Sequence, residues 1–495
     1  MSVDSYDLVP YPKASHTAVH IRRLEASARL FGMKPTPIPG ARVLEIGTSA
    51  GTNLIPQAIE YPDAQFVGID LSGDAIAAGQ IDVTELGLSN IELRQADLMS
   101  VDASWGEFDY ILCHGVYSWV PEPVQQGLLQ LCGSTLTPQG VAIVTYNTYP
   151  GWGVRSAVRN MMLFHTAGID DPAKKTAQAR AVLDFAAANA SPDSPYGQML
   201  AGEVELLRDA PDGYLYHDYL ERSNNPIYFH DFITQAERAR LQYLGNAQLS
   251  SMIPAVMHKK AQSVFKNRSL VQQQQYSDFL LNRSFRLTHL CHSNVELNRT
   301  LTPATLEPFH PQPAGAPGPV EPDGESAPAW GLRFGTKNVR TNKPHEQTAV
   351  QALADSWPRA LSMPELGERA RAVMLQLALN DAVLPVVHPA RVVKTISRCP
   401  KTSPFARLQA GRGDTVTNQL HENIQLDPLD AFVLSRLDGT RDSEQISEDL
   451  RAAIDRGELK ASVKEKPTNE LTSDQSRSVV RDALERQRLN VVLVE

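Results

Sequence analysis

Cysteine is scarce in this chain. There are four in 495 residues, Cys113, Cys132, Cys291 and Cys399, and none forms a CxxC pair. That spacing argues against a disulfide framework and a zinc knuckle and suits thiols kept reduced. His217, His230, His289 and His292 have no paired metal-ligand spacing either, so no metal is expected. Excess positive charge is also missing: the formal net charge is -9, which disfavours an extended nucleic-acid footprint. No apolar run approaches the ~20 residues of a membrane-spanning helix. The opening "MSVDSYDLVPYPK" carries acids and prolines where a secretory signal needs an apolar stretch. The expectation is a cytoplasmic protein that neither crosses membranes nor reads nucleic acid.

What is present is an ordinary globular balance, 42% hydrophobic and 21% charged, over a length that implies two to four domains. From Ala41 to Asn147 short apolar runs alternate with helical stretches: "ARVLEIGT", "AQFVGID", "IELRQAD", "FDYILCHG" and "GVAIVTYN". Buried strands alternating with helices predict an α/β doubly wound parallel sheet. The helix "SGDAIAAGQIDVTELG" is expected to start at a capping Ser72 and close on Gly87. Beyond Pro150 the pattern turns helical and reads as an insertion. Between Tyr214 and Cys291 "YFHDFITQAERA" is expected to be helical, "LQYLGNAQL" a strand, and "YSDFLLNRSFRLTHLCH" a helix followed by a strand. These strands complete the sheet. The glutamine run Gln272 to Gln275 reads as a solvated helix face. The stretch Thr302 to Trp330 is dense in proline, alanine and glycine and reads as a linker or extended strap. The rest shows a weak pseudo-repeat of helix, turn, helix and terminal strand.

The stretch "RVLEIGTSAGTNL" from Arg42 to Leu54 joins the first strand to a helix. Such a turn offers backbone N–H groups and a positive helix end to a cofactor. The GxGxxG register starting at Gly47 finds Ser49 and Thr52 where glycines belong, so two of three are absent. The spacing acidic-x-Gly-x-x-x-Gly fits instead, with Glu45, Gly47 and Gly51. A carboxylate there repels a pyrophosphate but suits the ammonium and sulfonium of S-adenosylmethionine. Asp70 ends the second strand, where a carboxylate accepts both ribose hydroxyls, and Asp97 ends the third, placed for an adenine amino group. NAD is the alternative, since Asp70 serves its ribose equally well. The expected cofactor-contacting set is Glu45, Gly47, Ser49, Gly51, Asn53, Asp70, Leu71, Asp97, Leu98 and His114.

With these residues, the chain resembles the class I adenosylmethionine-dependent methyltransferases. More narrowly it is similar to the group that carries a methyltransferase regulatory domain and a winged-helix C-terminal region, which includes the rickettsial-type protein lysine methyltransferases. The stretches that carry the resemblance are "SYDLVPYP", "VLEIGTSAGTNLIPQA", "FVGIDLS", "GEFDYILCHGVYSWVP", "YNTYPGW", "NPIYFHDF", "QYSDFLLNRSFRLTHLCH" and "PFARLQAGRGDTVTNQLHE". It departs at Thr48 and Thr52 in the loop, where a cysteine and a glycine are usual, and at Ser15 to Thr17, where Thr-His-Pro is usual. The resemblance implies a seven-stranded Rossmann-like sheet with an antiparallel last strand, adenosylmethionine as methyl donor, a protein acceptor and a homodimer.

The expected domains are then 1–40, a segment closing over the active site; 41–150, the cofactor-binding domain; 151–300, a helical insertion or regulatory region with the last strands; 301–345, a proline-rich linker; and 346–495, a winged-helix-like α+β region. Methyl transfer demands alignment of acceptor and donor and a neutral amine if the acceptor is lysine. An aromatic lining serves both needs. Tyr117 and Tyr146 are expected to position the acceptor and His114 to relay a proton. Tyr6, Tyr11, Trp119, Asn147 and Trp152 are the expected acceptor-binding residues. A small-molecule acceptor is the alternative within the enzyme class; a protein that senses adenosylmethionine and acts through its winged-helix units is the alternative outside it.

Overall fold

The apolar runs become five parallel strands: β1 (Arg42–Ile46), β2 (Gln65–Asp70), β3 (Ile91–Gln95), β4 (Phe108–Cys113) and β5 (Leu136–Asn147). The computed structural model describes residues 9, 13–252, 265, 267–320, 330–459, 461–463, 466–468 and 471–494. Tyr6 and Tyr11 lie outside the described residues. Two further strands, β6 (Leu241–Asn246) and β7 (Phe285–His292), extend the sheet to the order β3-β2-β1-β4-β5-β7-β6, with β7 antiparallel to both of its neighbours. The chain direction across the sheet reverses between β1 and β4, which opens a crevice at their carboxyl ends.

Burial explains the strand sequences. Every residue of β4 is buried, as expected of a central strand covered on both faces. One face packs on the helix Ile21–Leu30 through Ile21 and Leu24, and on the helix Ile55–Glu60. The other packs on the helices Glu122–Thr135 and Phe229–Arg238. The helix Gly73–Glu85 starts where Ser72 Oγ accepts from the Ala75 N–H. The N-terminal region is thus more than a flap over the site, because the helix Ile21–Leu30 belongs to the core of the sheet.

Residues 151–220 form helices around their own apolar cluster and end in a π-helical turn, Tyr216–Leu220. His217 in that turn lies 2.6 Å, Nε2 to O, from the Val9 carbonyl, tying the N-terminal segment to the insertion. The proline-rich stretch takes the strap alternative rather than the linker. Leu306 and Phe309 are buried, and His310–Pro313 pairs with Val383–Val386, so this stretch is a strap against the sheet's core. Gln274 and Gln275 are buried too: Gln274 Nε2 donates to the Met252 carbonyl and Gln275 Oε1 accepts from the His230 N–H. The glutamine run is therefore not a wholly solvated face. The C-terminal half divides in two. The helices Pro344–Ser356 and Arg371–Leu379 share the core of the sheet, while residues 406–493 enclose an apolar core of their own. Among the described residues no helix is long and apolar enough to cross a membrane.

Candidate functional site

The loop after β1 is fastened to β2. The Gly47 and Thr48 N–H groups donate to the Ile69 carbonyl, and the Ser49 N–H donates to Asp70 Oδ2 at 2.8 Å. Asp70 Oδ1 accepts from the Ser72 N–H at 2.9 Å. One carboxylate therefore holds both the loop and the start of the next helix. Gly47 has φ +76°, and a Cβ on it would stand 2.4 Å from Val116 Cγ2. Gly51 has φ +72°, with Leu93 Cδ1 3.0 Å from where a Cβ would lie. Both glycines are needed for the turn's shape. Ser49 takes φ +50° with a side chain, the strained conformation that recurs at functional loops.

Glu45 is buried beneath the loop. Its two oxygens accept from Thr48 Oγ1 at 2.7 Å and Asn53 Nδ2 at 2.6 Å. Thr48, a departure from the usual loop, supplies one of its two donors. Burial above all, and the Asp70 charge in addition, raise the Glu45 carboxyl to about 7 against the lowering effect of those hydrogen bonds. Asn53 was expected to touch the cofactor, but its amide is committed to protein: Nδ2 to Glu45, and Oδ1 to the His16 N–H and His421 Nε2. The Leu98 side chain is also turned into the core. Leu71 and Met99 instead stand exposed near Asp70 and Asp97. Asp97 is exposed, with one oxygen accepting from the Met99 N–H. Two carboxylates at strand ends, flanked by exposed apolar side chains, fit an adenosine: acids for hydroxyl and amino groups, apolar surface for the ring.

His114, after β4, lies 4.0 Å from His16, centroid to centroid, and edge-on to Phe285 at 6.1 Å. Its Nδ1 is 3.1 Å from Thr145 Oγ1, which accepts from the Gly115 N–H. Burial first, and His16 second, push His114 down to about 3. That shift argues against the expected proton relay, because burial makes this imidazole a weaker base than an ordinary histidine.

Tyr117 and Tyr146 need the same revision. They are 0% and 1% exposed, and their hydroxyls meet Gln235 Oε1 at 2.5 Å and Thr288 Oγ1 at 3.0 Å. With Phe232, which stacks on Tyr146 at 4.1 Å, they form the core on the helical face of the sheet. Asn147 is buried, its amide donating to Asn224 Oδ1. Trp152 is buried beside Trp119, the rings perpendicular at 6.5 Å, and its indole N–H has no partner among the described residues. Trp119 stays half-exposed, as do Tyr149 and Tyr228, whose rings lie 5.1 Å apart at the end of β5. Sequence reasoning missed His16, Tyr149 and Tyr228. Each sits in a stretch that had been singled out, "SHT", "YNTYPGW" and "NPIYFHDF", but nothing local distinguished it from its neighbours.

Comparison with known proteins adds an independent line. Three family models match: "Methyltransferase domain" over residues 43–140, "Predicted methyltransferase regulatory domain" over 211–292 and "PKMT, C-terminal winged helix domain" over 399–491. The uncharacterized protein RP789 of Rickettsia prowazekii (strain Madrid E) is 32% identical over 484 residues, 92% of this chain and 87% of that one. The uncharacterized protein RP028 of the same organism is 36% identical over 241 residues, 48% of this chain and 96% of that one. The fold is similar to that of PKMT2 from Rickettsia typhi, with TM-score 0.87 and 28% identity over 98% of this chain and 100% of that one. PKMT2 in complex with AdoHcy gives TM-score 0.86 over the same shares of the two chains.

Proposed function

This chain belongs to the adenosylmethionine-dependent methyltransferases that join a class I methyltransferase domain, a methyltransferase regulatory domain and a PKMT-type winged helix, and from that premise we propose that it methylates proteins, at lysine Nε. The observation that carries the acceptor reading is the likeness to PKMT2 over the whole length of both chains, beyond the methyltransferase sheet alone.

Adenosylmethionine is the methyl donor. When bound it supplies a methyl group already activated on a sulfonium, so the protein's task is to bind, align and exclude water. We assign Asp70 to the ribose hydroxyls, Asp97 to the adenine amino group, and Leu71 and Met99 to the ring faces. Glu45 acts from beneath the loop, fixing its path and contributing negative charge. His114 and His16 form a neutral wall. Trp119, backed by Trp152, strips water from an incoming ammonium and so favours its neutral, nucleophilic form. Tyr149 and Tyr228 offer partly exposed aromatic surface on which a lysine stem can lie.

A regulatory reading through DNA is disfavoured by the charge pairing of the last helix. Arg477 pairs with Glu444, Arg486 with Asp430 and Arg488 with Glu485, so acids beside these guanidiniums offset the positive field that a DNA duplex would require. Incubation with methyl-labelled adenosylmethionine and cell lysate should place label in the protein fraction, on lysine after hydrolysis. Label confined to small molecules would replace the protein acceptor with a metabolite.

Glu45 also makes cofactor binding pH-dependent. In the cofactor-free protein it titrates near 7, and a ligand with net positive charge favours the carboxylate, lowering that value. Affinity should therefore rise with pH towards 7, by up to about tenfold per unit, and level off above it. Glu45→Gln should flatten the profile measured by calorimetry. An equally steep profile in the variant would assign the proton elsewhere. The linkage to folding has the opposite sense. Between 4.5, the ordinary carboxyl value, and 7 the folded state holds the extra proton, so this group's contribution to stability falls as pH rises through that window.

A further inference from the structure

The C-terminal module reaches the cofactor loop directly. Its hairpin pairs Thr415–Thr417 with Asn423–Gln425, and the turn between them is braced by Asn418. Asn418 Oδ1 accepts from the Leu420 and Glu422 N–H groups, and its Nδ2 donates to the Asn490 carbonyl at the end of the last helix. The turn sets His421 at φ +65°, a conformation that a side chain other than glycine's seldom adopts. Its imidazole is buried, edge-on to His20 at 4.8 Å, and burial keeps it neutral. From there Nε2 lies 2.8 Å from Asn53 Oδ1. The amide of Asn53 has its orientation set at the other end, where Nδ2 donates to Glu45 Oε1, so Oδ1 must be the acceptor and His421 Nε2 the donor. The result is a continuous buried chain from the winged-helix module to the acid under the cofactor loop: His421 to Asn53 to Glu45.

The surrounding contacts fix the geometry of this chain. Thr17 Oγ1 donates to the His421 carbonyl, Arg22 Nη2 donates to the Gln419 carbonyl, and the side chains of Ser15 and Asn423 bond across the same junction. A second, separate contact joins the two parts at the surface, where Arg412 pairs with Asp82 and Glu85. Only the first touches a residue bonded to Glu45.

We propose that His421 is a positioning residue for adenosylmethionine binding: the C-terminal module completes the cofactor site by holding Asn53, and through it Glu45 and the Gly47-to-Leu54 loop, in the binding geometry. A docking surface alone needs no donor aimed at this one amide. The positive φ and the neutral ring are what a fixed donor at that point requires.

Two substitutions separate the donor from the fold. His421→Asn tolerates the left-handed backbone but is too short to reach Asn53, whereas His421→Gln carries an N–H to about the position of Nε2. Calorimetric titration of the full chain with adenosylmethionine should show the affinity of His421→Asn weakened by about three- to tenfold, the effect of one buried hydrogen bond, and that of His421→Gln within about twofold of wild type. In the cofactor-free protein, amide exchange across residues 47–54 should quicken in His421→Asn and return towards wild type in His421→Gln. Arg412→Ala, which removes the surface contact, should leave both readouts unchanged. Wild-type affinity and exchange in His421→Asn would overturn the proposal. So would equal weakening by Arg412→Ala, because docking of the module would then be the whole effect. If His421→Asn fails to fold, Asn53→Ala and His421→Gln give the same decision: the first must weaken binding and the second must not.

Discussion

Asp70→Ala weakens adenosylmethionine binding by about two orders of magnitude, the largest single effect expected at the cofactor site. The Asp70 carboxylate accepts from the Ser49 and Ser72 N–H groups, and it remains partly exposed at the end of β2. Hydrogen bonds to a charged acceptor are worth about 1.5–3 kcal/mol each, and alanine removes both the acceptor for the cofactor's hydroxyls and the bond that keeps Ser49 at its strained φ. Without that bond, the loop's left-handed residue has less reason to stay where it is. Asp70→Asn separates the contributions, because the amide keeps one acceptor but loses the charge, and a loss of about tenfold is expected. Calorimetry at fixed pH and salt measures both. An alanine variant that binds as wild type does would move the cofactor away from the β2 end of the crevice and undo the site assigned here.

The crevice itself was readable because its signals are local. Each strand is a short apolar run bounded by turn residues, and an open parallel sheet with right-handed crossovers must reverse its strand order once if helices are to cover both faces. The acids at the ends of β2 and β3 are equally local, each one or two residues beyond an apolar run. The acceptor side was harder for a geometric reason. Along β5 successive side chains face opposite ways, so Thr145 meets His114 while Tyr146 turns into the core against Phe232. The sequence places both at the same strand end and does not say which face holds the site. Asn53 illustrates a different limit. Its partner His421 is 368 residues away, and no pattern in either stretch announces a pair that exists only because the C-terminal hairpin lies under the loop. Sequence patterns report periodicity and local turns well; they do not report which distant element fills a given hydrogen bond.

The largest stability effect is expected from Asp278→Ala. Asp278 and Arg286 are both 0% exposed and joined twice, Nε to Oδ2 and Nη2 to Oδ1, each at 2.7 Å. Arg283 Nε donates to the same carboxylate, and the Arg286 guanidinium lies over the Phe229 ring at 3.8 Å. Arg286 sits on β7 opposite Tyr146 of β5, so the pair fastens the antiparallel strand to the sheet's centre beside the Tyr146–Phe232 stack. Removing only the carboxylate leaves a buried cation that cannot escape by losing its proton, a situation that costs about 3–5 kcal/mol. Replacing both partners together, as Asp278→Leu with Arg286→Met, leaves no buried charge and should cost far less. A chain with separate cores need not unfold in one step, so the measurement is calorimetric, by transition. In Asp278→Ala the transition of the sheet-containing part should fall by about 10 °C, and that of the C-terminal module, whose apolar core is its own, should hardly move. A fall of only a degree or two would mean that water reaches the guanidinium once the carboxylate is gone, and that β7 is held to β5 by its backbone ladder rather than by the buried pair.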